Sequence, residues 1–528
     1  MLVSRVFIYV KSRIEKHPLP NLLLFIGSFA SAFWAICFAL VTISIPYQIE
    51  FREGTAQVLT RLLLGGENPF VLDNQPLGMN NYGLGYNIAV LPFAALFGST
   101  LPVHRSVTFI FILLSSFVSF LFVYRVKRES ALALACAAFV MTGLIGRGGI
   151  GAFPSGMGTF LFLSAVFVPS FKSFDHPSLI FSVLFSMAAF YTKPYFVLGA
   201  GVVASYMFLF VSKKKGMFYG ILFLVLFMIS YFVVRYVFPL YFINTIAGNI
   251  SNTYRTSDHL FSQLKQLVFY FFPVLIVPFV ALRTAFGKRV NNTSFHEKIK
   301  NVFNLLNWNQ PLIGISANYS FYFFVNALLA FIFILGPHIG TYLSYAYQIL
   351  IPAYFCWLFQ KVDLKKKTGY IIVLLVLFNL FSWERDLLNP VMLEQKNSKE
   401  WAELFSYLES PSHILNSPAV TSKIVELGKA PIDSGQTAYF YSVDPFPNNE
   451  LIGPSYKSFT RDGIKYIRFI DNSIEKQKFD LILVTKEKVG FYHTKLIDKY
   501  YSLATQIIVD MPQTDQRWTI LIWRPRAT

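Results

Sequence analysis

The chain has little charge and almost no cysteine. Only 14% of its 528 residues are charged, against about 25% in soluble proteins, which excludes soluble globular, disordered and fibrous classes. The three cysteines, Cys37, Cys136 and Cys356, fall in long apolar stretches and share no close spacing. They provide neither a disulfide framework nor a metal cluster, and read as small core residues. Acid is scarcest of all. Residues 1–387 carry 29 basic but just 12 acidic side chains, whereas residues 388–528 carry 17 and 16. There is no P-loop, no His-Glu-x-x-His and no Asp-x-Asp, which argues against a nucleotide-linked donor held by a metal. Gly146–Gly151 does match Gly-x-Gly-x-x-Gly. It lies between two apolar stretches rather than in a strand–turn–helix unit, so it is not a dinucleotide site.

What is present is apolar length: 54% hydrophobic residues and a mean hydropathy of +0.49. A spanning helix needs about 17–25 such residues. Eleven stretches meet or approach that, at about 21–45, 105–124, 131–146, 153–170, 178–192, 194–211, 217–238, 264–286, 318–336, 340–360 and 368–387. The run 178–211 is too long for one crossing and is interrupted at Lys193-Pro194, which predicts two spans joined by a tight turn. The stretch 84–98 is short and holds Pro92, so it reads as an interfacial helix. With the N-terminus in the cytoplasm, alternate connections collect twenty basic side chains, among them Arg125, Lys127, Arg128, Lys213, Lys214 and Lys215. The opposite connections hold only Arg52, Arg61, Arg147, Lys193 and Arg255 clear of the span ends. That is the positive-inside pattern of a multi-pass inner-membrane protein, and an odd number of spans puts the C-terminal region outside. The +18 formal charge is therefore a topology code and no nucleic-acid footprint. Residues 1–32 imitate a signal peptide, but the apolar run continues to Ile45, which predicts an uncleaved first helix.

Two large segments face outwards. The loop from about 46 to 104 holds Glu50, Glu53, Glu67 and Asp73. Within it, Gly54–Leu64 has helical spacing and is expected to lie on the membrane. The tail 388–528 alternates a strand at His413–Leu415, a helix at Ala419–Leu427 stopped by Gly428, and strands at Phe479–Thr485 and Arg517–Trp523. It reads as a small α/β domain that is accessory or handles the acceptor. The expectation is a mainly α, polytopic membrane protein with about eleven transmembrane helices (1–387) and an extracytoplasmic α/β domain (388–528).

The chemistry-bearing pattern is carboxylates in the first outer loop with isolated cations at outer span ends: Lys193 above all, Arg147, Arg255, and His338 nearby. Charges at such depth are costly and more often functional than not; the bland alternative is snorkelling to the headgroups. Cations facing a carboxylate suit transfer from a lipid-linked donor. They hold the departing phosphate while the carboxylate takes the acceptor proton. A transporter or flippase of lipid-linked saccharides is the alternative, but it would place ionisable groups at the midplane and show inverted halves.

The order Arg52-Glu53-Gly54, Gly65-Gly66-Glu67-Asn68-Pro69-Phe70, Asn81-Tyr82-Gly83, Leu91-Pro92-Phe93, Phe97-Gly98 and Arg105, followed by Thr192-Lys193-Pro194-Tyr195-Phe196 and a Gly336–Pro352 stretch with Tyr342, Tyr345 and Gln348, resembles GT-C superfamily membrane glycosyltransferases. That group contains the protein O-mannosyltransferases and the lipid A aminoarabinose transferases. The resemblance implies a polyprenyl-phosphate-linked sugar donor, inversion at the anomeric carbon, and a glycan, lipid or protein hydroxyl as acceptor. It implies a bacterial cell-envelope setting and no obligatory cofactor, with a divalent metal left open. Glu53 matches the loop carboxylate that acts as base, with its neighbour Glu50 as the alternative. Lys193, with Arg147 and Arg255, falls to the donor phosphate, and Tyr82, His338 and Tyr345 to the substrate. Glu53 should then share a cavity with Lys193, and Glu53→Gln should leave a folded, inactive protein. One departure is Pro154-Ser155, where many relatives carry an acid.

Overall fold

The computed structural model describes residues 19–75, 77–247, 261, 308–312, 318–335, 347–359, 367–384, 388–433, 454–486, 494–511 and 516–526. The apolar stretches become helices: α1 (Leu19–Ser44), α4 (Leu101–Lys127), α5 (Ser130–Gly143), α6 (Ser155–Phe171), α7 (His176–Thr192), α8 (Leu198–Tyr206), α9 (Lys213–Val237), α10 (Tyr319–Leu335), α11 (Tyr347–Leu358) and α12 (Lys367–Glu384). Between α1 and α4 run α2 (Glu53–Leu64) and α3 (Gly85–Phe97). Four segments among the described residues are long and apolar enough to cross a membrane: Leu19–Ser44, Leu101–Lys127, Pro194–Val211 and Lys213–Val237. The stretch expected as a span at 264–286 lies outside the described residues.

Local chemistry sets the boundaries. Thr100 is extended, and Pro102 follows in the first turn of α4, where a missing N–H costs nothing. Asp175 caps α7 by accepting from the Ser178 amide at 3.0 Å. α7 ends at Lys193, which is extended (φ −149°, ψ 124°) because Pro194 disfavours helix in the residue before it. The chain turns there through a short 3₁₀ segment, Pro194–Val197, into α8, as the Lys193-Pro194 break predicts. α6 packs on α7 and α4, and α5 on α1 and α4. Their shared core is aromatic: Phe122 stacks on Phe167 at 3.8 Å between centroids, and Phe167 meets Phe323 edge-on. α9 leaves most of its length uncovered, with Phe232 and Tyr236 exposed, as a lipid-facing helix would.

α3 has 13 residues, about 20 Å at 1.5 Å per residue, too short for a hydrocarbon core of about 30 Å. It exposes Ile88, Phe93, Leu96 and Phe97, consistent with an interfacial helix. α2 forms where the spacing predicts, but not as a membrane-surface helix. Every residue from Glu53 to Thr60 is buried, because α2 lies between the bundle and the C-terminal segment.

That segment comprises α13 (Leu388–Glu409), α14 (Thr421–Glu426), α15 (Pro454–Glu475), α16 (Thr494–Tyr500) and a four-stranded mixed sheet. Its strands are β1 (Ile414–Leu415), β2 (Leu481–Thr485), β3 (Tyr501–Met511) and β4 (Gln516–Pro525), in the order β1-β2-β4-β3. β1 and β2 are parallel and the other pairs antiparallel, with an irregularity between Leu503 and Thr505. Gly428 ends the α14 turn at φ +75°, the stop the sequence marks. The segment is fastened to the α1–α2 loop by aromatics: Tyr47 stacks on Trp401 of α13 (4.7 Å, 6°) and Phe51 meets Trp518 of β4 at 5.7 Å. Trp401 is buried, so Trp401→Ala should cost about 3–5 kcal/mol, read as a clear fall in the thermal midpoint in detergent; an unchanged midpoint would show that the stack adds nothing.

Candidate functional site

The site is built around the turn that carries the chain from α1 into α2. Ile45, Tyr47, Gln48, Ile49, Glu50 and Glu53 are all buried, which demands a partner for each polar group. Glu53 finds four. Its Oε1 accepts from Arg105 Nε (2.9 Å) and the Ala152 amide (2.9 Å); its Oε2 accepts from Arg105 Nη2 (2.8 Å) and the Ile49 amide (2.8 Å). Arg105, equally buried, places its remaining donors on main-chain carbonyls: Nη1 on Thr42 and Ile45, Nη2 on Tyr47. All five guanidinium hydrogens and all four carboxylate lone-pair positions are used.

This arrangement weighs against Glu53 as base, because a carboxylate with four donors in place has no lone pair left for an acceptor hydroxyl. Neither glutamate lines the adjacent cleft; what sets Glu53 apart is its cage of four donors. The glycine-rich run 146–151 serves it: Gly149 adopts φ +71°, and a Cβ on Gly151 would lie 3.0 Å from Glu53 Oε1. The small residues let the chain approach closely enough for Ala152 to donate.

Glu50 differs. Its Oε2 accepts from the Arg52 amide (2.6 Å) and its Oε1 from Arg52 Nε (2.7 Å), one bond per oxygen among the described residues. Burial pushes its carboxyl above the ordinary glutamate value, Arg52 pulling the other way and Glu53 adding to the rise. Arg52 also donates from Nη1 to the Tyr82 hydroxyl at 2.7 Å, and lies over Phe153 at 5.6 Å. Lys193 Nζ stands 4.6 Å from the centre of the Tyr82 ring and donates to Ser155 Oγ at 2.8 Å. Glu50, Arg52, Tyr82, Lys193 and Ser155 are thus connected side chain to side chain. Beside them opens a cleft lined by Arg52, Thr55, Asn80, Tyr82, Asn87 and Pro154, among others.

The backbone makes this convergence possible at two points. Gly83 donates to the Thr192 carbonyl at 3.0 Å, and a Cβ there would fall on the Tyr191 carbonyl oxygen. Only glycine lets the Tyr82 loop reach the end of α7, where Lys193 turns inward. Ser155 opens α6 just after Pro154 and offers its hydroxyl oxygen to Lys193.

Of the residues expected at the site, the structure brings together Glu50, Tyr82 and Lys193. Arg147 lies on the turn Leu144–Gly148 that follows α5, and its side chain is not among those described. Arg255, His338 and Tyr345 lie outside the described residues. Sequence reasoning missed Arg52, although it is one of the few outer cations, and it missed that Arg105 pairs with Glu53.

No protein-family model and no curated protein matches the chain. Among solved structures it is similar to the crystal structure of ArnT from Cupriavidus metallidurans bound to undecaprenyl phosphate. The match has 10% identity and a TM-score of 0.50, and covers 93% of this chain and 97% of that one.

Replacing Glu53 by Gln would turn an amide N–H₂ towards donors, leaving part of a buried charge pair uncompensated. The expected cost is about 3–5 kcal/mol, seen as a lower detergent melting temperature and a lower yield without any substrate present. A Glu53→Gln protein as stable as the parent would return Glu53 to the list of reacting groups. The chain has the membrane fold of ArnT, with a small mixed sheet at its C-terminal end.

Proposed function

We propose that the protein is a glycosyltransferase that moves a sugar from a polyprenyl-phosphate donor to an acceptor hydroxyl at the outer face of the cytoplasmic membrane. One observation carries the reading: in a fold shared with a protein solved with undecaprenyl phosphate, Arg52 and Tyr82 on the cleft wall join Glu50, a carboxylate with spare acceptor positions among the described residues, to Lys193 behind them. The chemistry balances with these groups alone. Glu50 accepts the proton of the acceptor hydroxyl, whose oxygen attacks the anomeric carbon from the face opposite the phosphate. The bond from that carbon to the phosphate oxygen breaks, and the lipid phosphate leaves with the electron pair, its charge met by Arg52 and Lys193. Arg147 and Arg255 are kept as further phosphate contacts, and His338 and Tyr345 as sugar contacts. Tyr82 holds both cations, one by its hydroxyl and one by its ring face. The acceptor is a glycan, lipid or protein hydroxyl, and the segment 388–528 lies outside the membrane.

The direct test incubates the purified protein with a panel of polyprenyl-phosphate sugars and measures release of the lipid phosphate, with and without a chelator. Release from at least one donor is expected, and none from any donor would end the proposal. The chelator arm reports whether a divalent metal takes part. Glu50→Gln should lower turnover about 100–10,000-fold, the usual worth of a general base, with the protein still folded and inserted. Near-normal turnover would remove Glu50 as base. Lys193→Ala should raise the KM for donor more than that for acceptor; an equal rise in both would remove the phosphate contact.

The pH profile has a definite sign. A base works ionised, so activity falls as pH drops through the Glu50 pKa. Because burial raises that pKa, the acid limb should lie above the ordinary glutamate value of about 4.3. Arg52→Gln removes the nearest positive charge and should move the limb higher still; a limb that stays put would show that another group is titrating.

A further inference from the structure

We infer that the C-terminal segment completes the reactive loop: Gln48, and the packing of Thr421 on Gly54, hold Glu50 and Arg52 in working position. The inference rests on the glycosyl-transfer reading for what the loop does, and on separate geometry for how it is held.

α14 of the C-terminal segment is only six residues long, and no side chain of its own neighbourhood caps its start at Val420. Residues of the loop and α2 grip it at both ends. At its N-terminus the Gln48 carboxamide oxygen accepts from the Ser422 amide at 2.8 Å, the role a capping side chain plays when it is local. At its C-terminal end Arg61 donates to the carbonyls of Val425 (3.0 Å), Gly428 (3.1 Å) and Lys429 (3.2 Å). These groups are more than 360 residues apart in sequence. An isolated six-residue helix is not stable in water; α14 is held by this grip together with the bonds of Asn416 and Thr421 to Asp433 inside its own segment.

The grip also works in reverse. The Gln48 amide nitrogen donates to the Phe51 carbonyl (3.0 Å) and the Pro418 carbonyl (3.2 Å), with a longer contact to the Glu50 carbonyl (3.4 Å). One buried carboxamide therefore ties the peptide units on either side of Phe51 to Pro418 and Ser422. Directly beside it, a Cβ on Gly54 would lie 2.5 Å from Thr421 Cβ and 2.8 Å from its Cγ2. Gly54 needs no unusual φ; it is glycine because the C-terminal segment comes that close. The Glu50–Arg52 turn is pinned from below by Glu53 and Arg105 and from above by α14. Removing either side frees the groups whose spacing sets the reaction. Gln48 and Gly54 are positioning residues: Gln48 acts through the Glu50 and Phe51 carbonyls, and Gly54 has no side chain to offer a substrate.

The test uses the full-length protein in detergent or nanodiscs with four variants: Gly54→Ala, Thr421→Gly, the double variant, and Gln48→Leu. Gly54→Ala should lower turnover about 10–100-fold, the scale set by an ångström of misplacement at a reacting centre. Thr421→Gly alone gives up its packing and the Oγ1 bonds to Asn416 and the Asp433 carbonyl and should itself lose a few-fold of turnover; the double variant should match it rather than Gly54→Ala, because Thr421 Cβ and Cγ2 are the obstruction to a Cβ at position 54. Gln48→Leu should lower kcat and shift the acid limb of its pH profile. Mere loss of folded protein would lower the amplitude and leave the limb in place. Amide hydrogen exchange across residues 47–54 should speed up in Gly54→Ala and Gln48→Leu and return to the Thr421→Gly rate in the double variant. The inference is overturned if Gly54→Ala turns over normally, if the double variant is no better than Gly54→Ala, or if exchange in the loop is unchanged. Should the parent release no lipid phosphate at all, the glycosyl-transfer reading fails while the exchange measurements still decide whether the C-terminal segment holds the loop.

Discussion

Arg105 carries five N–H donors into the protein interior, and the loop around Glu53 is shaped by where they go. Two meet the Glu53 carboxylate, and three meet the carbonyls of Thr42, Ile45 and Tyr47. Thr42 lies in the last turn of α1, where helix carbonyls lack intrahelical partners. The arginine therefore closes the first helix, and through Glu53 it reaches the start of α2 and the Ala152 amide before α6. Taking both charges out of water costs several kcal/mol per ion, and the pair holds only because its geometry leaves no donor or acceptor unspent. Its worth lies less in net stability than in register. A shift of any one of these four segments would strand a buried charge.

That constraint assigns different work to two glutamates three residues apart. Both are buried and both face an arginine, yet Glu53 is saturated, while among the described residues Glu50 accepts from Arg52 alone, one bond per oxygen. Environment divides like groups into roles in many active sites. Here the division follows from which arginine each one meets: Arg105 is sealed under the loop, whereas Arg52 is partly exposed and borders the cleft. Tyr82 extends the second set outward to Lys193, so charge that leaves with a phosphate would meet cations already oriented by an aromatic ring and a carboxylate. Charges oriented before a substrate binds are the condition for electrostatic stabilisation to be large.

Much of this was legible in the residues. The apolar stretches mark the helices within a few positions, Lys193-Pro194 marks the turn that aims the lysine, and the scarcity of outer cations singles out Lys193. The choice between Glu50 and Glu53 was not legible, because it depends on Arg105, 52 positions away, folding onto the carboxylate at 2.8 Å. Gly54, next to Glu53 in the resembled order, is in close contact with Thr421 of the C-terminal segment. The same long-range logic hid the true place of α2: its helical spacing is visible, but its burial is set by chain more than 360 residues further on. α15 and β3 also escaped notice, since neither carries a long apolar run. α15 packs by a few aromatic and β-branched residues, Tyr466, Ile467, Ile470 and Ile474, on one side of an otherwise charged helix.

A polar, charge-bearing loop at a membrane boundary has a structural problem that explains the architecture around it. It has no apolar core of its own, and its main-chain groups must be paired if it is to be rigid rather than solvated. The bundle supplies one side through Arg105 and the Ala152 amide. The other side faces water unless something covers it. The C-terminal segment does this with inexpensive parts: a six-residue helix held at each end, one stacked pair, Tyr47 on Trp401, and Phe51 against Trp518. Together they cover Glu50 while leaving Arg52 and Tyr82 at the cleft. The segment therefore backs the loop from outside the cleft, for none of its described residues lines it.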